Sequence, residues 1–232
     1  MDIFVEVCEQ NFSPMSGFTK ENIILFCTSI FIMSSINAQN DWRLKKEQSG
    51  IKIYMRSNER SSFNEIKVEM SIQSKLSSLV ALLLDVPNHA QWVYNVKSSY
   101  ILKKVAENEL YFYELINSPF PASDRDLVVH LKITQDSQTK TMTISAINIP
   151  DFIPQKKNIV RVPVSRESWR VTPVSNNTLK IEYYLEIDPG GSVPAWLING
   201  FAEKGPYESF RHLQSQVDLP KYKNAFVSFI KN

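Results

Sequence analysis

The sequence predicts an α+β fold, a broad antiparallel sheet with helices set against it. Three observations carry this expectation. Ile66, Val68, Met70 and Ile72 alternate with Lys67, Glu69, Ser71 and Gln73, the two-residue period of a strand with one wet face. The same alternation returns late, in Leu179, Ile181, Tyr183, Leu185 and Ile187 against Lys180, Glu182, Tyr184, Glu186 and Asp188. Helical patterns lie between and after the strands, and no repeat or long linker divides the chain.

The elements follow in order. Lys20 precedes the apolar run Ile23–Met33, and Ser34–Ala38 then supplies small residues. This is the form of a secretory signal peptide over residues 1–38, with Met15 a better start than Met1. The run is shorter than the roughly 20 residues of a membrane span, which favours the signal peptide; an uncleaved N-terminal anchor is the alternative. Cleavage near Ala38 predicts an exported protein, periplasmic or secreted, with one domain over residues 39–232. Asp41–Gln48 reads as a short helix with Asp41 as N-cap and Gly50 as stop. Ile51–Arg56 and the segment around Ile66–Ile72 are strands. Ser74–Asp85 is a helix with Leu76, Leu79, Val80, Leu83 and Leu84 on one side, stopped by Pro87. His89–Tyr94 is a further short helix. Strands are expected near 97–105, 109–117, 125–135, 140–149, 158–171 and 178–187. Asp188–Gly191 turns the chain into a last helix over 194–217, which Gly205-Pro206 should kink or break.

Composition narrows the function. Both cysteines, Cys8 and Cys27, fall in the leader, so the domain has no disulfide, thiol nucleophile or cysteine zinc site. The leader holds Lys20 against Asp2, Glu6, Glu9 and Glu21, so its removal takes the net charge from +2 to about +5. That mild excess favours solubility, and slightly an anionic membrane surface, but lacks the dense basic stripe of a nucleic-acid binder. The three histidines are scattered, and no H-E-x-x-H, G-x-S-x-G or phosphate-cradling glycine loop is present. No metal, cofactor or catalytic set is expected from these residues, and the chain reads as a monomer.

One stretch is more specific. Ser118-Pro-Phe-Pro-Ala-Ser-Asp-Arg-Asp-Leu-Val-Val-His-Leu-Lys-Ile133 joins a proline-punctuated loop to an Asp-Arg-Asp triplet and an apolar strand. It resembles the P-x-x-x-R-D junction of START (StAR-related lipid-transfer) domains. Further points of resemblance stand in the right order: Glu47–Tyr54, Trp92, Ser123–Asp126, Asn148-Ile-Pro150 with Val160-Arg161, Trp169–Pro173, and Tyr184–Asn199. Together they span roughly residues 42–217. The short turn Asp136–Lys140 and Gly205-Pro206 depart from the family pattern. The resemblance implies a helix-grip fold (START/Bet v 1-like), a curved antiparallel sheet closed by a long C-terminal helix around an internal cavity. It implies one lipid or sterol-like hydrophobic ligand in that cavity, and transient membrane contact.

The candidate site follows from that. Glu114 is a lone carboxylate on a strand that is apolar on both faces, and burying it demands a partner or a polar ligand group. The family places a carboxylate of this strand in the cavity. An edge Glu meeting Lys or Arg is the plainer reading. Arg125 either forms an ion pair fixing loop to sheet or meets the ligand head group. Trp92, Tyr113, Trp169, Trp196 and Phe201 are expected to line the ligand tunnel, although core packing alone accounts for any one of them. Phe152 and Ile153, between Pro150 and Pro154, form a gate loop over the ligand or tuck back onto the sheet. The alternative from another class is an enzyme of the polyketide cyclase or hydrolase kind, using Glu114 with Arg125, Tyr111 or Tyr113. A buried carboxyl of raised pKa beside a second polar group would favour the enzyme; an apolar tunnel with one satisfied polar spot would favour the carrier.

Overall fold

The computed structural model describes residues 42–58, 61–118, 120, 122–192, 194, 198–199 and 202–232. The leader, Trp196 and Phe201 lie outside the described residues. Ten strands form one sheet: β1 (Arg43–Gln48), β2 (Ile51–Asn58), β3 (Ser61–Gln73), β4 (Val96–Ala106), β5 (Glu109–Ile116), β6 (Arg125–Gln135), β7 (Met142–Asn148), β8 (Val160–Arg161), β9 (Val164–Ser175) and β10 (Thr178–Asp188). The order across the sheet is β1-β2-β3-β10-β9-β7-β6-β5-β4, all antiparallel, with β8 adding parallel to β6. Helix α1 (Leu76–Leu84) and a 3-10 turn (Val86–Gln91) lead from β3 to β4; α2 (Lys204–Gln216) and α3 (Pro220–Lys223) follow β10.

Alternation decides which face each side chain takes. The register runs Phe112↔Val129↔Asn148 on one side of the sheet and Ile144↔Trp169↔Tyr183↔Val68↔Ile53 on the other, all pointing one way. This face carries the core and packs against α1 through Leu76, Leu79, Val80, Leu82 and Leu83, and against α2 through Tyr207, Phe210 and Leu213. Each large apolar side chain so buried contributes about 1.5–3 kcal/mol. The opposite face carries Lys67, Glu69, Arg166, Arg170, Lys180 and Glu182, and is called here the open face.

Four sequence expectations are corrected. Residues 43–48 are a strand, not a helix. Ser49 and Gly50, at φ 52° and 75°, make a two-residue hairpin turn that pairs Gln48 with Ile51. Gly50 therefore bends a hairpin rather than stopping a helix, and β1 is an edge strand whose Lys45, Glu47 and Gln48 face solvent. The strand expected over 158–171 is two strands. Pro163 has no N–H to give the ladder, and the chain leaves β6 there to begin β9. The regular part of the expected 194–217 helix is α2. Gly205 and Pro206 stand in its first turn, where a proline forfeits no intrahelical hydrogen bond, and the turn residues Ala202 and Glu203 precede it. The 3-10 turn also starts earlier than the short helix expected at His89–Tyr94, because Pro87 opens it.

Candidate functional site

Glu114 is not alone. His89, on the 3-10 turn, brings Nδ1 to 2.6 Å from Glu114 Oε1, and the pair is buried, His89 at 5 % and Glu114 at 9 % exposure. The other ring nitrogen, Nε2, lies 2.9 Å from the Leu83 carbonyl at the end of α1. A carbonyl only accepts, so Nε2 carries a proton, and Nδ1 then faces a carboxylate. Burial works against the charged ring, but the Glu114 carboxylate and the Leu83 carbonyl outweigh it and raise the His89 pKa. Phe112 and Trp92 meet the His89 ring edge-on, at 5.3 and 5.5 Å between centroids.

A second carboxyl joins them. Glu167 on β9 faces the same way as Glu114, because it shares parity with Trp169 and pairs with Ala146 and Leu185. Desolvation first, and the Glu114 charge second, push its carboxyl up to about 7. The Tyr183 phenol is turned to it, and burial with the Glu167 carboxyl holds that phenol well above its ordinary range. Trp169, Tyr183 and Phe210 of α2 form one aromatic cluster beside this carboxyl, with centroids 4.9–5.1 Å apart. The Trp92 indole N–H is buried and has no hydrogen-bond partner among the described residues.

The Asp-Arg-Asp triplet divides its duties. Asp124 holds Lys97 at 2.7 Å and accepts from the Ser118 backbone N–H, fixing the β5–β6 loop. Asp126, fully buried on the open face, takes a two-pronged grip from Arg161 at 2.7 and 3.1 Å. Arg125 points to the helix-covered face and is 7 % exposed. It forms no ion pair among the described residues: it donates to the Ser123 carbonyl at 2.5 Å, and more loosely to Ser118 Oγ and the Gly190 carbonyl, both at 3.4 Å. Burial lowers its pKa, with Asp124 acting the other way. The loop-to-sheet ion pair foreseen for Arg125 is instead made by Asp126 and Arg161.

Two further expectations change face. Tyr113 stands opposite Glu114, since neighbours on a strand point to opposite sides. It is buried under Tyr100 and under Lys156, whose Nζ is 3.7 Å from its ring centre. Tyr113 is thus kept apart from Trp92, Trp169, Glu114 and Arg125. Tyr111 also lies on the open face, stacked at 4.4 Å between His130 and Phe152. The acid–base set of Glu114 with Tyr111 or Tyr113 is not brought together. Phe152 and Ile153 tuck back: Phe152 lies flat on Tyr111, and Arg161 donates to the Pro150 and Ile153 carbonyls. Residues 149–159 cover the open face, not the helix-covered one.

Comparison with known proteins agrees with this fold. The START domain family model matches residues 29–223. A phosphatidylcholine transfer protein of Rattus norvegicus is 29% identical over 197 residues, covering 83% of this chain and 90% of its own. An uncharacterized protein of Pseudomonas aeruginosa is 26% identical over 204 residues, covering 88% of this chain and 99% of its own. The crystal structure of a STAR-related lipid transfer protein from Xanthomonas axonopodis has a TM-score of 0.71 at 30% identity, over 76% of this chain and 98% of that one. Human STARD10 shares the fold, with a TM-score of 0.68 at 18% identity over 90% of this chain and 84% of that one.

Proposed function

The chain belongs to the START domain family, and from that premise we propose that it carries one hydrophobic molecule, a lipid or sterol-like compound, between sheet and helices. The observation that supports this most is the buried polar group His89–Glu114–Glu167 in a largely apolar face. A folded core has no use for a carboxyl this desolvated unless something polar meets it. Glu167 keeps part of its surface accessible although desolvation dominates its carboxyl, the combination expected at the wall of an interior space. Binding would be driven by removing apolar ligand surface from water, at about 25 cal/mol per Å² before the losses of immobilisation.

Arg125, buried without a carboxylate partner among the described residues, is a second polar spot for a head group. Phe120, 98 % exposed on the loop between β5 and β6, is the apolar side chain that would meet a membrane during exchange. Export is part of the same proposal, resting on the leader over residues 1–38; N-terminal sequencing of protein recovered outside the cytoplasm tests it.

The carrier reading is tested by extracting the purified protein with organic solvent and weighing it by native mass spectrometry. A stoichiometric lipid is the expected result. A clean protein that also fails to take up a lipid mixture would overturn it. One observation favours a second reading. Glu167, with a pKa near neutrality beside Glu114 and His89, would serve as a proton donor or acceptor toward an apolar substrate. Recovery of a chemically altered ligand after incubation would support that enzyme over the carrier.

A further inference from the structure

The polar group on the helix-covered face has a surplus of acceptors. His89 spends both ring nitrogens, one on Glu114 Oε1 and one on the Leu83 carbonyl. The Tyr183 phenol is the one side-chain donor turned to Glu167 among the described residues. What remains facing the interior is the second oxygen of Glu114, for which no donor is found among the described residues, and the lone pairs of Glu167 that Tyr183 leaves free. Arg166 and Arg170, next to Glu167 on β9, point to the open face and cannot answer it. Among the described residues, the buried donor without a partner on this face is the Trp92 indole N–H, against the His89 ring.

We propose that Glu167 and Glu114 select a ligand whose buried polar group is a hydrogen-bond donor, a hydroxyl or a protonated amine on an apolar body. This deepens the carrier reading and rests on it. Above about pH 7 Glu167 has given up its own proton; a hydroxyl then supplies the donor that the free oxygens of Glu167 and Glu114 lack, and its oxygen can accept from a neighbouring indole. A protonated amine gives the same donation with a charge that favours ionised Glu167. A group of the same size with no proton to give, such as a methyl ether, leaves both carboxyls unanswered in a desolvated place, and sites of that kind discriminate strongly. Glu167 is the specificity-determining residue of the two, because Glu114 is already held by His89.

Three probes with one dodecyl tail test this: the alcohol, the primary amine and the methyl ether, titrated into the full chain by calorimetry. The alcohol and the amine are expected to bind at least about tenfold tighter than the ether. In Glu167→Leu that ratio falls toward one for the alcohol, while the ether binds as before. Glu167→Gln, of the same shape, keeps the alcohol and loses about tenfold on the amine, which serves if the leucine variant is unstable. An ether that binds wild type as tightly as the alcohol overturns the inference and leaves the carrier reading standing. So does an alcohol preference that survives Glu167→Leu. Failure of all three probes to bind wild type removes the carrier reading, and this inference with it.

Discussion

The sheet buries charge on both faces, and the two sites are built differently. On the open face, Asp126 and Arg161 close on each other: both carboxylate oxygens are gripped, and the rest of the guanidinium goes to the Pro150 and Ile153 carbonyls. On the helix-covered face, His89 satisfies only half of Glu114, and Glu167 stands beside it with a single phenol donor. A closed pair fixes where chain segments sit; an open one waits for a group from outside. Burial alone would rank Asp126 as the more notable residue. The count of donors and acceptors reverses that ranking.

The contrast can be broken most severely at Asp126. Asp126→Asn strands the buried Arg161 charge and loosens residues 149–159 from the sheet, with an expected loss of about 3–5 kcal/mol in chemical denaturation. Ligand affinity of the folded fraction should not change, because the pair lies on the far side of the sheet.

The open site answers to pH instead. The Glu167 carboxyl titrates near the ordinary glutamate value of 4.5 when unfolded and is pushed up to about 7 when folded. The fold therefore holds that proton more tightly than the unfolded chain does. Its contribution is fully present below about 4.5 and is lost as pH rises through about 7. The drop is about 3 kcal/mol at most, from a shift of this size. His89, also raised, acts with the same sign: its contribution is present at low pH and is lost as pH rises through its folded pKa. Melting temperature should fall across this window in wild type and flatten in Glu167→Gln. A wild-type profile that rises instead would show that the Glu167 carboxyl is not desolvated.

Gly190 links the two faces and gives a smaller effect. Its φ is +67°, and a Cβ would sit 2.8 Å from the Pro163 ring while its carbonyl accepts from Arg125. Gly190→Ala should lower stability by about 1–3 kcal/mol and weaken ligand binding through a displaced Arg125. The smallest change is expected at Phe152. Phe152→Ala removes a ring stacked on the open face, so stability should shift by about 1 kcal/mol and ligand exchange not at all. A large effect on exchange would restore the gate first expected of that loop.

Much of this architecture was legible because alternation survives in the interior strands. β3 and β10 each bury every second residue, and their faces can be read from the letters alone. β1 could not be read so: Arg43–Gln48 is an edge strand with little to bury, and its polar letters fit a helix equally well. In the site, Glu114 stood out as a carboxylate in an apolar strand. His89 did not, because a 3-10 turn has no periodicity to say where a side chain points, and the partner lies 25 residues away. Glu167 was overlooked among Arg166, Ser168 and Arg170, which look like a solvated run. A signal was there: two and four residues on come Trp169 and Val171, on the same face of the same strand. The Tyr113 assignment broke that same rule of parity, placing neighbours on one side.

The pairing of β3 with β10 sets a schedule for the molecule. β3, the longest strand, is finished at Gln73, but the neighbour that covers its inner edge begins only at Thr178. More than a hundred residues must be made while an alternating, apolar edge stands open. Contacts of such separation are slow to form and leave a chain exposed to mispairing meanwhile. Completion of this sheet is therefore an event of the finished chain rather than of the growing one, and a cell making the protein must shield that edge until β10 arrives.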